Sequence, residues 1–157
     1  MSQDEMDTNP LVITAVEGYA QNHKMSESDV YTEFNKYKII PLIRQQYEAL
    51  HTQPLEETVN FVEDVMTRYT GEAKFNMPHY SFNNQNITID ILMKMEEVTR
   101  ILTELLKKPF DEVLGMFYAS KTFKALKNTE SCMWAESSQF IADEYLRENN
   151  INLFPKH

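Results

Sequence analysis

Apolar side chains recur along this chain at intervals of three and four residues, and that spacing predicts helices almost from end to end. Val12, Val16, Tyr19 and His23 fall on one face of a first helix, expected to open at Pro10, where a missing N–H is tolerated. Ser26-Glu27-Ser28-Asp29 is a start signal close to a capping box, ahead of Val30, Phe34 and Tyr37. Pro41 can open a third helix with Leu42 or Ile43, Tyr47 and Leu50 inward. Thr52-Gln53-Pro54 starts a longer one, striped by Leu55, Val59, Val62, Met66 and Tyr69. Strand alternation bounded by Asn-Gly or Asp-Gly turns is missing from the sequence.

The pattern breaks between Thr70 and Gln85, where Gly71, Pro78, Asn76, Asn83 and Asn84 are mixed with Phe75, Tyr80 and Phe82. So long a connection either packs its aromatics locally or serves as a contact loop or an arm exchanged between subunits. Helical spacing resumes with Ile91, Met95, Val98, Leu102 and Leu105, ending at the cations Lys107 and Lys108. Pro109 opens a short helix carrying Phe110, Val113, Leu114 and Phe117. Ser120 can cap another with Phe123 and Leu126, and Ser137 or Ser138 a last one with Ile141 and Tyr145. Leu153, Phe154 and Pro155 in the tail are expected to dock back.

The organisation read from this is an N-terminus (1–9) expected to be flexible, a helical unit over 10–69, the connection 70–86, a second helical unit over 87–150 and a tail 151–157. The fold class is all-α, with about seven to nine short-to-medium helices. An offset of 83 places Asp29-Val30 on Glu112-Val113, Phe34 on Phe117, Ile40 on Phe123 and Ile43 on Leu126. An offset of 79 places Phe61 on Phe140 and Asp64 on Asp143. Two diverged copies of one unit would give these matches, and so would helical periodicity alone. In either case each half is small, and the halves are expected to share a core.

Composition narrows the classes. The 157 residues and 42 % apolar side chains fit one globular domain, or two very small ones. No apolar run reaches the roughly 18–20 residues that span a bilayer. Residues 1–9 carry Asp4, Glu5 and Asp7 but no Lys or Arg, the wrong charge for a secretory signal. The single cysteine, Cys132, excludes an intramolecular disulfide and a Cys-rich zinc module, and a reducing, cytoplasmic location is expected. Net charge is −9, and residues 1–75 hold 13 acidic against 6 basic groups. That half is a poor partner for phosphate and a fair one for a basic protein surface.

Chemistry-bearing patterns are sparse. Glu48-x-x-His51 has the spacing used in di-iron bundles, but a second such pair is missing from the sequence, so no metal and no cofactor are expected. His51 is expected instead to close the turn into the next helix. Cys132, before Trp134, has no flanking cation and reads as a packed, inert thiol; His23 and His79 show no carboxylate partner in sequence. Three glycines could barely build a phosphate-cradling loop. Lys121, Lys124 and Lys127 sit at i, i+3, i+6 on the second of two short helices, the arrangement of a DNA-binding helix-turn-helix.

Tyr47-Glu48-Ala49-Leu50-His51-Thr52-Gln53, preceded by Phe34-Asn35-Lys36-Tyr37, resembles the bacterial domain-of-unknown-function family 3791, short helical domains with a Tyr-Glu-x-Leu-His-Thr segment. Phe117-Tyr118-Ala119-Ser120-Lys121-Thr122-Phe123 through Leu126, then Ser137-Ser138-Gln139-Phe140, resembles short proteins often encoded beside that family. Having both segments in one chain departs from the usual short forms. Such genes often neighbour those of ADP-ribosyltransferase-like proteins, so the resemblance implies an accessory, antitoxin-like role. The expected function is therefore non-enzymatic binding of another protein, basic and encoded nearby. Tyr47, Glu48, His51, Glu56, Glu57 and Glu63 are the expected contacts. The alternative is a DNA-binding regulator working through Lys121, Lys124 and Lys127.

Overall fold

The computed structural model describes residues 3–71 and 77–151. Among them the protein is all-α, as the periodicity predicts, and no helix is long and apolar enough to cross a membrane. The chain divides into two compact units, Met1–His79 and Tyr80–His157.

The first unit holds α1 (Gln3–His23), α2 (Glu27–Lys36), α3 (Ile39–Gln45), α4 (Tyr47–Leu50) and α5 (Leu55–Thr70). α1 packs on α5, α3 and α2, burying Val12, Val16, Tyr19, Val30, Phe34, Ile40, Ile43, Val59, Val62 and Met66. The Ser26 hydroxyl accepts from Asp29 N at 3.1 Å, so the capping signal acts as read. At Gly18 a Cβ would stand 2.8 Å from Val59 Cγ2, so glycine is what lets α1 and α5 approach so closely.

α1 begins at Gln3, not at Pro10, and takes in most of the stretch expected to be flexible. An interior proline deprives the helix of one N–H and crowds the preceding turn. Arg44 of α3 braces this turn from outside: its Nη1 donates to Glu5 O at 3.2 Å, to Asn9 Oδ1 at 3.0 Å and to Thr8 Oγ1. Pro41 likewise lies inside α3, in its first turn, where N–H groups lack helical partners in any case. Tyr69, read as an inward residue, is 53 % exposed.

The second unit opens with a two-residue hairpin, β1 (Ser81–Phe82) against β2 (Gln85–Asn86). Its turn carries no Asn-Gly signal because Asn83 and Asn84 supply the two positive φ values, 50° and 62°. Tyr80 is buried, its amide donates to Thr88 Oγ1 at 2.8 Å, and Phe82 packs edge-on against Trp134. Tyr80 and Phe82 thus pack within the second unit, Phe82 on a residue distant in sequence; Phe75 lies outside the described residues, as do Leu153, Phe154 and Pro155.

Then follow α6 (Thr88–Leu106), α7 (Phe110–Tyr118), α8 (Lys121–Lys127), two 3-10 turns (Thr129–Ser131, Met133–Ala135) and α9 (Ser138–Glu148). α6 packs on α9 and α7, and α8 on α9 and α7. Ser120 and Ser137 cap α8 and α9 through Phe123 N and Phe140 N. Ile91, Met95, Val98, Leu102, Phe110, Val113, Phe117, Phe123, Leu126, Ile141 and Tyr145 are buried.

The sequence offsets place buried positions of one unit on buried positions of the other. At an offset of 83, Val12, Val16 and Tyr19 correspond to Met95, Thr99 and Leu102, and Val30, Phe34, Ile40 and Ile43 to Val113, Phe117, Phe123 and Leu126, every one buried. Lys24 and Lys107, which end α1 and α6, both adopt the left-handed conformation, φ 54° and 55°. At an offset of 79, Val62 and Met66 correspond to Ile141 and Tyr145, and the left-handed Gly71 to the left-handed Asn150.

Candidate functional site

At the α4–α5 corner of the first unit, the rings of Tyr47 and His51 stack with centroids 4.5 Å apart. His51 Nδ1 lies 2.8 Å from Tyr47 O, so the imidazole closes its own helical turn, the role its position suggests. Glu48 is exposed beside it. Glu56 and Glu57, also exposed, occupy the first turn of α5, where carboxylates complement the helix dipole. Asn60 Nδ2 donates to Glu57 Oε1 at 3.4 Å, which leaves the carboxylate at the surface.

Glu63 does not belong with them. It faces the core with 0 % exposure, and its two oxygens lie 3.0 and 2.9 Å from His23 Nε2. Asn22 Nδ2 donates to Oε1 at 3.4 Å, and Tyr19 stacks on the His23 ring at 4.0 Å. His23 thus has the carboxylate partner that the sequence conceals. The available signal was positional: Glu63 lies between Val62 and Met66, on the buried stripe of α5. A buried polar pair of this kind is held by geometry and supports the core rather than a partner.

In the second unit, Lys121 and Lys124 are exposed, while Lys127 is half-buried with Nζ 5.8 Å from the Phe123 ring centroid. The three do not form a single free face. Glu148 reaches over from α9, accepting from Lys121 N at 2.8 Å, Thr122 N at 2.8 Å and Thr122 Oγ1 at 2.6 Å. Burial opposes its charged form, but those hydrogen bonds, with the Lys121 charge, outweigh it and hold the carboxyl below the ordinary glutamate value. The neighbouring Tyr145 hydroxyl is pushed up, by burial first and by the Glu148 charge second. A cavity of about 380 Å³ opens here, lined by Lys121, Thr122, Met133, Arg147 and Glu148 among others. A carboxylate at the start of α8 repels the phosphate that a helix-turn-helix would bring there.

Cys132 corrects another expectation: it is exposed, in the left-handed region at φ 59° between the two 3-10 turns, and not packed. A second hollow, about 410 Å³, is lined by Asp90, Met93, Lys94, Glu97, Trp134 and Ala135. Ser138 Oγ donates to Glu97 and Lys94 Nζ to Glu136 O, tying its walls together. Among the described residues no group of three or more His, Cys, Asp or Glu side chains is placed to hold a metal ion, and Glu48 and His51 stand as a lone pair.

No curated protein and no solved structure matches the chain. Residues 11–68, which run from α1 into the last turn of α5 and so cover the helical body of the first unit, match the family described as "Protein of unknown function (DUF3791)".

Proposed function

We propose that the chain is a non-enzymatic protein-binding module whose first unit docks, through Glu48, Glu56 and Glu57 with Tyr47 and His51 beside them, onto a basic protein. The observation that carries this reading is the α4–α5 corner. Three exposed carboxylates gather there on a half whose charge is already strongly negative, and a stacked Tyr–His pair offers rigid contact area. Following the resemblance, the partner class is an ADP-ribosyltransferase-like protein, and the mode is antitoxin-like occlusion of its basic, nucleotide-binding cleft. Glu63 takes no part, being core. Glu148 beside Lys121 weighs against the DNA-binding alternative.

The test measures association with an ADP-ribosyltransferase-like protein from the same genome by surface plasmon resonance across a salt series. Complementary charge accelerates encounter, and salt screens it over a Debye length of about 8 Å at physiological ionic strength. Association should slow as salt rises, and Glu56→Lys with Glu57→Lys should slow it further. Reversing Lys121, Lys124 and Lys127 should matter less. Binding lost only in the lysine variant, or no dependence on salt, would reject the proposal.

A further inference from the structure

Where α2 and α5 end, the first unit carries two tyrosines that its core does not use. Tyr37 and Tyr69 stack with centroids 4.2 Å apart and planes at 15°, Tyr37 half-buried and Tyr69 53 % exposed. Lys36 Nζ stands 5.1 Å from the Tyr37 ring centroid. Lys38 and Arg68, each the chain neighbour of one tyrosine, are exposed. Three of the four exposed Lys and Arg residues among the described part of this acidic unit therefore flank a single aromatic pair. The nearest acidic groups on the same helices, Glu33 and Asp64, lie at least three residues back from these cations in sequence.

Helix dipoles account for Lys36 and Arg68, since cations are favoured at helix C-termini. They do not account for the tyrosines. The second unit carries different chemistry at the corresponding positions. The positions corresponding to Tyr37 and Tyr69 are Ser120 and Glu148, and there the carboxylate is bound to the Lys121 and Thr122 amides. The first unit has in place of that internal contact an aromatic surface and exposed cations.

We propose that Tyr37, Tyr69, Lys36, Lys38 and Arg68 form a platform for a mononucleotide, its base stacking on the open face of Tyr69 and its phosphates meeting the cations. Every base has a π-face, so stacking is tolerant of base identity, while three cations match the charge of a nucleoside di- or triphosphate. The net charge of −9 disfavours a polymer, whose repulsion grows with each added phosphate. This inference rests on a different surface from the acidic corner and does not depend on that docking reading.

The experiment titrates the full chain with ATP at low salt by isothermal calorimetry, with tripolyphosphate and a single-stranded tetranucleotide as comparators. Expected are saturable ATP binding, about tenfold weakening in Tyr69→Ala, consistent with base–aromatic stacking, and near-full retention in Tyr69→Phe. Arg68→Glu should weaken binding and flatten its salt dependence. Tyr69 is exposed, so circular dichroism should show an unchanged helix content in both tyrosine variants. No binding at millimolar ATP, or binding indifferent to Tyr69→Ala, would overturn the proposal. Tripolyphosphate binding as tightly as ATP would remove the stacking role. A tetranucleotide binding more than tenfold tighter than ATP would replace the mononucleotide with a single strand.

Discussion

The two units solve the same packing problem with different chemistry. Where the first buries Glu63 against His23, the corresponding positions of the second are Ala142, fully buried, and Leu106. Where the first uses Arg44 to hold Thr8 and Asn9, the second has Lys127 with Ile91 and Leu92. At the first place both polar partners are gone from the second unit; at the second the acceptors are apolar, and the cation, Lys127, lies near the Phe123 ring instead. The lesson is that the frame tolerates either solution, provided no partner is left alone. An unpaired buried charge costs several kcal/mol, whereas a pair replaced by matching apolar groups can be neutral.

That comparison can be broken most forcefully at Glu63. Glu63→Ala should lower stability by about 3–5 kcal/mol, because His23 and Asn22 lose their acceptor. Adding His23→Leu, which imports the second unit's pair, should recover most of that loss in a chemical-denaturation series. If the double variant is no better than the single, the two sites are not interchangeable. Arg44→Ala comes next, expected to cost about 2–3 kcal/mol because buried acceptors on α1 go unmet. Lys127→Ala should cost less than about 1 kcal/mol, the range of a partly exposed cation–π contact.

An effect of similar size tests the Glu148 brace of the second unit. Glu148→Ala should cost about 1 kcal/mol by releasing two helix-start amides. The sign of its pH dependence follows from the lowered carboxyl. A group whose folded pKa is depressed contributes stability above its unfolded pKa, near 4.3 for an ordinary glutamate, and loses it as pH falls through the folded value. Acid titration of stability should therefore be shallower in that variant, over the range below the ordinary glutamate pKa. The smallest change should be a gain. Lys24→Gly and Lys107→Gly each relieve a left-handed, Cβ-bearing residue and should stabilise by about 0.5–1 kcal/mol, equally if the positions are equivalent. Unequal gains by thermal melting would set the two helix ends apart.

How much of this was legible in the sequence depended on how local the cause is. Stripes such as Val30–Phe34 and Ile91–Met95 obey the helical period, and Ser26, Ser120 and Ser137 cap the helices they precede, because both effects act within one or two turns. The early start of α1 was hidden because its support, Arg44, lies on another helix. Glu63 was misplaced, and its partnership with His23 hidden, for the same reason: the pair spans 40 residues. Glu48, Glu56 and Glu57 were placed correctly at the surface by charge alone. Tyr69 sits on the helical stripe yet stays exposed, since the stripe reaches the end of α5 and runs out of core to cover it.

The Arg44 clamp also has a consequence in time. The turn before Pro10 lacks one ladder bond and takes outside support from a side chain of α3, so its formation is expected to follow the docking of α3. Local opening of the α1–α3 contact then releases this turn while the stretch of α1 beyond Pro10 stays folded on α5. Amide hydrogen exchange reads such openings directly. Amides just before Pro10 should exchange together with those of α3, well ahead of the amides around Val16 on the same continuous helix.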